Sequence, residues 1–171
     1  MKSRKLPIFA LLGALLVAGC TSFSGAGLVP GQATEADVLE KMGPPAQTVR
    51  KPDGSQALYF SRLPEGRQIF MASIGPDGVL RKIEPTLDYA HINRIKAGVT
   101  TAAEAREILG PPSSAYKAPF KNVDVWEYPW QLVEDHRLLW LVVSPDGVVR
   151  EVTDIHDHGY DEPTGADMPT S

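Results

Sequence analysis

LVPGQATEADVLEKMGPP (28–45) aligns without a gap on IKAGVTTAAEAREILGPP (95–112), 67 residues later. Farther on, Pro76-Asp77-Gly78-Val79 matches Pro145-Asp146-Gly147-Val148, and Arg81 matches Arg150, after a two-residue insertion. Common solenoids repeat every ~20–50 residues, so this longer period reads as a duplicated small domain. The matched positions have local meanings. Thr34 and Thr101 can each cap a helix, with Asp37 or Glu104 three residues on to close a capping box, the aspartate being the shorter of the two. Val38, Leu39 and Met42 then form an apolar stripe at helical spacing, as do Ala105, Ile108 and Leu109. Gly43 and Gly110 are expected to stop the helices in left-handed backbone, and the Pro-Pro after each prevents a restart. Helices this short are unstable alone, so each must dock on a sheet.

That sheet follows in each copy. Segments 56–62, 67–74 and 79–84, and again 124–130, 137–143 and 148–153, read as three antiparallel strands. The last two of each set are joined at Pro-Asp-Gly, a hairpin turn signal. Residues 87–97, carrying Ile92 and Ile95, read as another short helix ending at Gly98; the first copy has only Leu28 in that place. The expected fold class is α+β: two tandem repeats, 28–86 and 87–155, each with short helices on one side of a three-stranded antiparallel sheet. About 60 residues make a marginal core for a single copy, so the two copies are expected to pack together.

The first twenty residues carry a different signal. Lys2, Arg4 and Lys5 precede an apolar run, LPIFALLGALLVAG (6–19), of 14 residues. A membrane-spanning helix needs ~20, and a shorter run after a basic start fits an export signal. The run ends Val17-Ala18-Gly19-Cys20, which resembles the lipobox of bacterial lipoprotein signals. That resemblance implies cleavage before Cys20, covalent lipid on its sulfur and, because Thr21 rather than an aspartate follows, sorting to the outer membrane. The competing reading is an ordinary signal cut at an Ala-x-Ala-like site, which would leave a lone free thiol in an exported protein. Residues 1–19 are therefore expected to be a signal peptide. Residues 20–27 are expected to be a lipidated flexible tether with a span of about 15 Å, anchored by acyl chains at about 0.8 kcal/mol per buried methylene.

The repeated unit resembles the SmpA/OmlA (BamE-like) domain family. That family's pattern is a short helix, Gly-x-Thr, a second short helix ending in Gly-x-Pro, and a three-stranded antiparallel sheet. Gly98-Val99-Thr100, Gly110-Pro111-Pro112 and DVWEYP (124–129) carry it in the second copy. Gly31-Gln32-Ala33, Gly43-Pro44-Pro45 and Tyr59 carry it in the first, where Ala33 breaks the triplet. The resemblance implies a non-enzymatic lipoprotein acting through protein contacts in outer-membrane protein assembly or envelope integrity, with the outer-membrane β-barrel assembly machinery as its partner. The tandem arrangement is similar to the secreted β-lactamase inhibitor proteins, whose two related repeats join their sheets into a concave face. That second resemblance implies a periplasmic inhibitor or ligand-binding module instead. Those inhibitors carry disulfides within their repeats, which a chain with one cysteine cannot form.

The formal net charge is −4, and without the three cations of the export segment 14 basic residues face 21 acidic ones, a balance near −7. Such a surface does not draw nucleic acid and is repelled by anionic lipid, so lipid on Cys20 rather than charge must hold the protein at a membrane. A single cysteine also excludes a zinc site of several thiolates. His156-Asp157-His158, with Asp154 and Asp161 nearby, is the best candidate for a metal, since alternating residues of a strand share a face. It falls, however, where an acidic tail (156–171) is expected to be disordered, so neither metal nor cofactor is expected. His91 reads as a surface histidine, and Glu134-Asp135 as a solvated turn. No serine sits in a Gly-x-Ser-x-Gly elbow and no glycine loop is shaped to cradle phosphate, so the chain is not expected to be an enzyme. Trp126, Tyr128 and Trp130 alternate on one strand face, and the first two are expected in the core. Trp130 follows Pro129 near the strand end and is expected to be less buried. Phe120, Trp130 and Trp140 are therefore the expected partner-binding residues.

Overall fold

The computed structural model describes residues 23–159. Its elements run α1 (Glu35–Met42), β1 (Gln47–Arg50), β2 (Gln56–Ser61), β3 (Ile69–Ile74), β4 (Leu80–Pro85), α2 (Tyr89–Ile92), α3 (Ala102–Leu109), β5 (Ser114–Lys117), β6 (Asp124–Leu132), β7 (Asp135–Val143) and β8 (Val149–His156). The fold is α+β. Strands β1 to β4 form one antiparallel meander and β5 to β8 a second. The expected three strands per sheet are corrected to four: β1 and β5 pair with β2 and β6 immediately after each Gly-Pro-Pro. The two sheets share no strand, so the joined sheet expected from the inhibitor resemblance is not formed.

Helices α1 and α3 start where the capping signals place them. Thr34 and Thr101 each accept from the amide three residues on, while the carboxylates of Asp37 and Glu104 reach back to the cap amides at 2.7 Å. Both boxes close, the shorter aspartate included. The hydrogen bonds hold the Asp37 and Glu104 carboxyls below their ordinary pKa. Each helix start is also seated on a Pro-Asp-Gly turn: the Glu35 amide donates to Gly78 O at 2.9 Å and the Ala102 amide to Gly147 O at 2.8 Å. Two motifs far apart in sequence thus satisfy one another's backbone groups. The stops differ from a left-handed cap. Gly43 (φ 82°, ψ −163°) and Gly110 (φ 87°, ψ −167°) have positive φ with extended ψ, a region open to glycine almost alone.

Side-chain alternation then sorts the layers. In β2 and β3, Leu58, Phe60, Ala72 and Ile74 face α1, whose Val38 and Met42 complete one core. Ala57, Tyr59 and Ile69 point to the opposite face and join a second core with Ala105 and Leu109 of α3 and the inner face of the second sheet. The order of layers is α1, first sheet, α3 with α2, second sheet. Both faces of the first sheet are therefore buried, and the two halves pack together through α3.

The C-terminus of α3 is where they are joined most closely. Its last-turn carbonyls accept from side chains of the first half: Gln47 Nε2 donates to Arg106 O (3.0 Å), Tyr59 Oη to Glu107 O (2.5 Å) and Thr86 Oγ1 to Leu109 O (2.7 Å). Arg67, 5% exposed, makes a second tie. Its guanidinium donates to Arg137 O at 3.2 Å and pairs with Asp157 at 2.6 Å.

Three expected boundaries move. The helix expected over 87–97 shortens to the four residues of α2, capped by Asp88, with turns after it. The start expected for the tail, at 156, is corrected: β8 continues to His156, which pairs with Arg137 of β7. Part of the expected tether is packed: Phe23 lies edge-on to Phe70 at 5.9 Å, and Gly25 sits so close to Ile83 that an added Cβ would come within 2.5 Å of it. Residues 1–22, with the export signal and Cys20, and residues 160–171 lie outside the described residues. No described helix is long and apolar enough to cross a membrane.

Candidate functional site

The second sheet has one face toward α3 and one that belongs to neither core. Trp126, Tyr128, Leu139 and Leu141 point inward. The register places Tyr116, Val125, Glu127, Leu138, Trp140 and Val142 on the other side. The apolar members of this outer set pack in neither core; Tyr116 is 45% exposed, and Val125, Leu138, Trp140 and Val142 are half-buried.

Glu127 organises that face. Its carboxylate accepts from Ser114 Oγ at 2.7 Å, Tyr116 Oη at 3.0 Å and Trp140 Nε1 at 3.1 Å. These donors fix two aromatic rings against one strand, and burial with the bond to Glu127 raises the Tyr116 pKa above its ordinary value. The result is a surface of aromatic and aliphatic groups around one carboxylate, with two of its rings held by hydrogen bonds. Rigid aromatics lose little conformational entropy on binding, and such residues dominate protein contacts.

The three aromatic residues expected to form a partner surface are not brought together. Trp140 lies on the outer face. Phe120 is fully exposed in the β5–β6 loop, with a positive φ of 62°. Trp130 is corrected: it is 1% exposed on the inner face, edge-on to Tyr89 at 5.1 Å and donating from Nε1 to Asp154 at 3.0 Å. Pro129 does not end the strand. Ser113 donates to Glu127 O, so odd-numbered backbone groups of β6 face β5, which pairs only as far as Glu127. The missing Pro129 donor therefore removes no ladder bond. Tyr116 and Glu127 were absent from the expected set; the only signal for them was a strand at 114–117.

The histidines take structural positions. His156 Nδ1 lies 2.6 Å from Asp135 Oδ1, and its ring is 4.7 Å from that of His158. Asp135 also accepts from Arg137 at 2.7 Å, and these two partners, Arg137 first, hold its carboxyl below the usual range. Glu134-Asp135 is thus only half a solvated turn. His91 is corrected from a surface residue: its side chain is 13% exposed, with Nδ1 2.8 Å from Asp88. Among the described residues, no three His, Cys, Asp or Glu side chains converge to hold a metal.

No family model matches the chain, and no curated protein does. Among solved structures it is similar to the crystal structure of a DUF4309 family protein, YjgB, from Bacillus subtilis subsp. subtilis str. 168. The identity is 18%, the match covers 77% of this chain and 84% of that one, and the TM-score is 0.30.

Proposed function

We propose that this chain is a non-enzymatic lipoprotein of the outer membrane, held by lipid on Cys20, which acts by protein contact in envelope protein assembly or integrity. Its two halves are read as tandem BamE-like units, each extended by an edge strand. What supports the contact reading is the outer face of the second sheet, where Glu127 fixes Tyr116 and Trp140 on a surface that no part of either core covers. The reading of Cys20 is supported by the charge, length and small residues that precede it.

A photo-crosslinking residue at Val142 in the membrane-anchored protein tests the contact. Cross-links to barrel-assembly components are expected from Val142 and not from Ala36, on the far side of α1. Trp140→Ala should weaken that contact by about 2 kcal/mol, or roughly thirtyfold. Equal cross-linking from both positions, or none from Val142, would count against the surface. Mass spectrometry of the mature N-terminus tests the anchor separately, and an unmodified Cys20 thiol would remove it.

A further inference from the structure

At the hairpin-turn end of the first sheet, a cleft of about 810 Å³ is lined by the strands on one side and by Glu104, Glu107 and Ile108 of α3 on the other. That size falls within the ~300–1,000 Å³ range of small-molecule sites. Val49, Ala57 and Met71 of the sheet give it apolar wall, faced by Ile108 of α3. Around this apolar part stand Lys51 from the β1–β2 turn and Arg94 and Lys96 from the α2–α3 connection. None of these three cations forms an ion pair among the described residues, whereas Arg81, also at the cleft, is paired with Asp77 at 2.6 Å. Two acids line the cleft as well. The Glu104 carboxylate is engaged by the Thr101 cap, which leaves Glu107 to oppose three unpaired cations.

A chain of net charge −4 thus gathers unpaired positive charge beside apolar wall. Cations that line one cleft reinforce one another's field there, and the low-dielectric side of the cleft strengthens the effect on any anion that enters. Charge alone would accept any small anion. The volume and the aliphatic surface select one with an apolar body.

We infer that this cleft binds a small soluble organic anion, with an apolar body against Val49, Ala57 and Ile108 and a carboxylate or phosphate head between Lys51, Arg94 and Lys96. The site lies on the opposite side of α3 from the second sheet, so it stands independently of the contact surface above.

Amide NMR of the full mature chain tests the assignment, with 1-naphthyl phosphate and 1-naphthaleneacetate as probes and inorganic phosphate and neutral 1-naphthalenemethanol as controls. Both naphthyl anions should shift the amides of Val49, Ala57 and Ile108, and each control should bind about tenfold more weakly or less. Lys51→Glu with Lys96→Glu, both at exposed positions, should weaken the naphthyl anions by about tenfold without changing the melting temperature. Arg94→Gln should give a smaller loss in the same direction, and it serves if the double variant folds poorly. Equal binding of the neutral alcohol, undiminished binding by the charge variants, shifts confined to another surface, or shifts produced only by anionic phospholipid vesicles would each overturn it.

Discussion

Replacing each helix-stopping glycine by alanine should separate backbone strain from packing between the halves. Gly43 and Gly110 share nearly the same conformation, φ 82° with ψ −163° and φ 87° with ψ −167°. A Cβ in that region costs about 1–3 kcal/mol at either position. Their surroundings differ. A Cβ on Gly43 meets nothing within 4 Å, whereas one on Gly110 would stand 2.9 Å from Tyr59 Cδ1 and 3.0 Å from Ile69 Cγ2. Tyr59 and Ile69 are 1% and 0% exposed and belong to the first sheet, so neither can swing away into solvent. Overpacking of that kind adds about 1–3 kcal/mol. Gly43→Ala should therefore lose about 1–3 kcal/mol and Gly110→Ala about 2–6 kcal/mol, against a total stability of ~5–15 kcal/mol for a typical domain. Urea denaturation of an unlipidated form, followed by tryptophan fluorescence, measures both. Shortening the ring in a Tyr59→Leu background should recover part of the Gly110→Ala loss, a coupling of about 0.5–3 kcal/mol. Equal losses at the two glycines, with no coupling to Tyr59, would refute the contact between the end of α3 and the first sheet.

Arg67→Ala should cost about 2–4 kcal/mol, because it removes the side-chain donor to the Arg137 carbonyl and leaves Asp157 without its cation. Asp157→Asn should cost less, since the carbonyl bond survives; a neutral result for Arg67→Ala in chemical denaturation would show that this tie contributes nothing. Burial, with the Glu107 charge nearby, pushes the Tyr59 phenol up to about 12, and burial raises Tyr128 further. Both would ionise near 10 in the unfolded chain. The folded state holds these protons longer, so their stabilisation is complete below about pH 10 and is lost as pH rises through about 12. An absorbance titration should show these two tyrosines ionising only as the fold is lost; ionisation of every tyrosine near pH 10 with the near-UV circular dichroism intact would contradict their burial.

The parts of the fold legible in the sequence are those written locally. Thr34 with Asp37, Thr101 with Glu104, and the two Gly-Pro-Pro stops lie within one or two helical turns of the groups they satisfy, and both helices fall where those residues place them. The two Pro-Asp-Gly hairpins are equally local. Strands β1 and β5 were not legible because QTVR and SAYK are short, polar and half-exposed; only pairing with β2 and β6, many residues away, makes them strands. Trp130 misled for a related reason. A proline beside it ends a strand only if its missing donor faces a partner, and that depends on how far β5 extends. His156 looked like the start of a solvated tail because its partner, Arg137, is supplied by another strand. The candidate surface was half legible: alternation puts Trp140 on one face of a strand, but nothing local shows that Glu127 and Tyr116 meet it there.

The two ends of this stack of layers are chemically unlike, and that asymmetry bears on what can cover the outer face. If a second copy docked there as α3 docks on the first sheet, α1 would be the helix presented. The core positions of α3, Ala105 and Leu109, have apolar counterparts in Val38 and Met42, but Ala102 and Ile108, which pack against the edge of that core, correspond in α1 to Glu35 and Lys41, whose charges would be brought to the contact. The sheet side differs at the matching place too. Tyr59 donates to a carbonyl at the end of α3, while its counterpart Glu127, already engaged by three donors, has no hydrogen to give as a carboxylate. Contacts of this head-to-tail kind propagate into open filaments unless they close into a ring, and repeat arrays avoid them with a polar terminal face. Lys41, Glu35 and Glu127 oppose that docking mode without removing the aromatic surface of Tyr116 and Trp140. What remains is a face poorly matched to α1 of another copy and better matched to a partner that brings apolar groups and a donor for the one carboxylate at its centre.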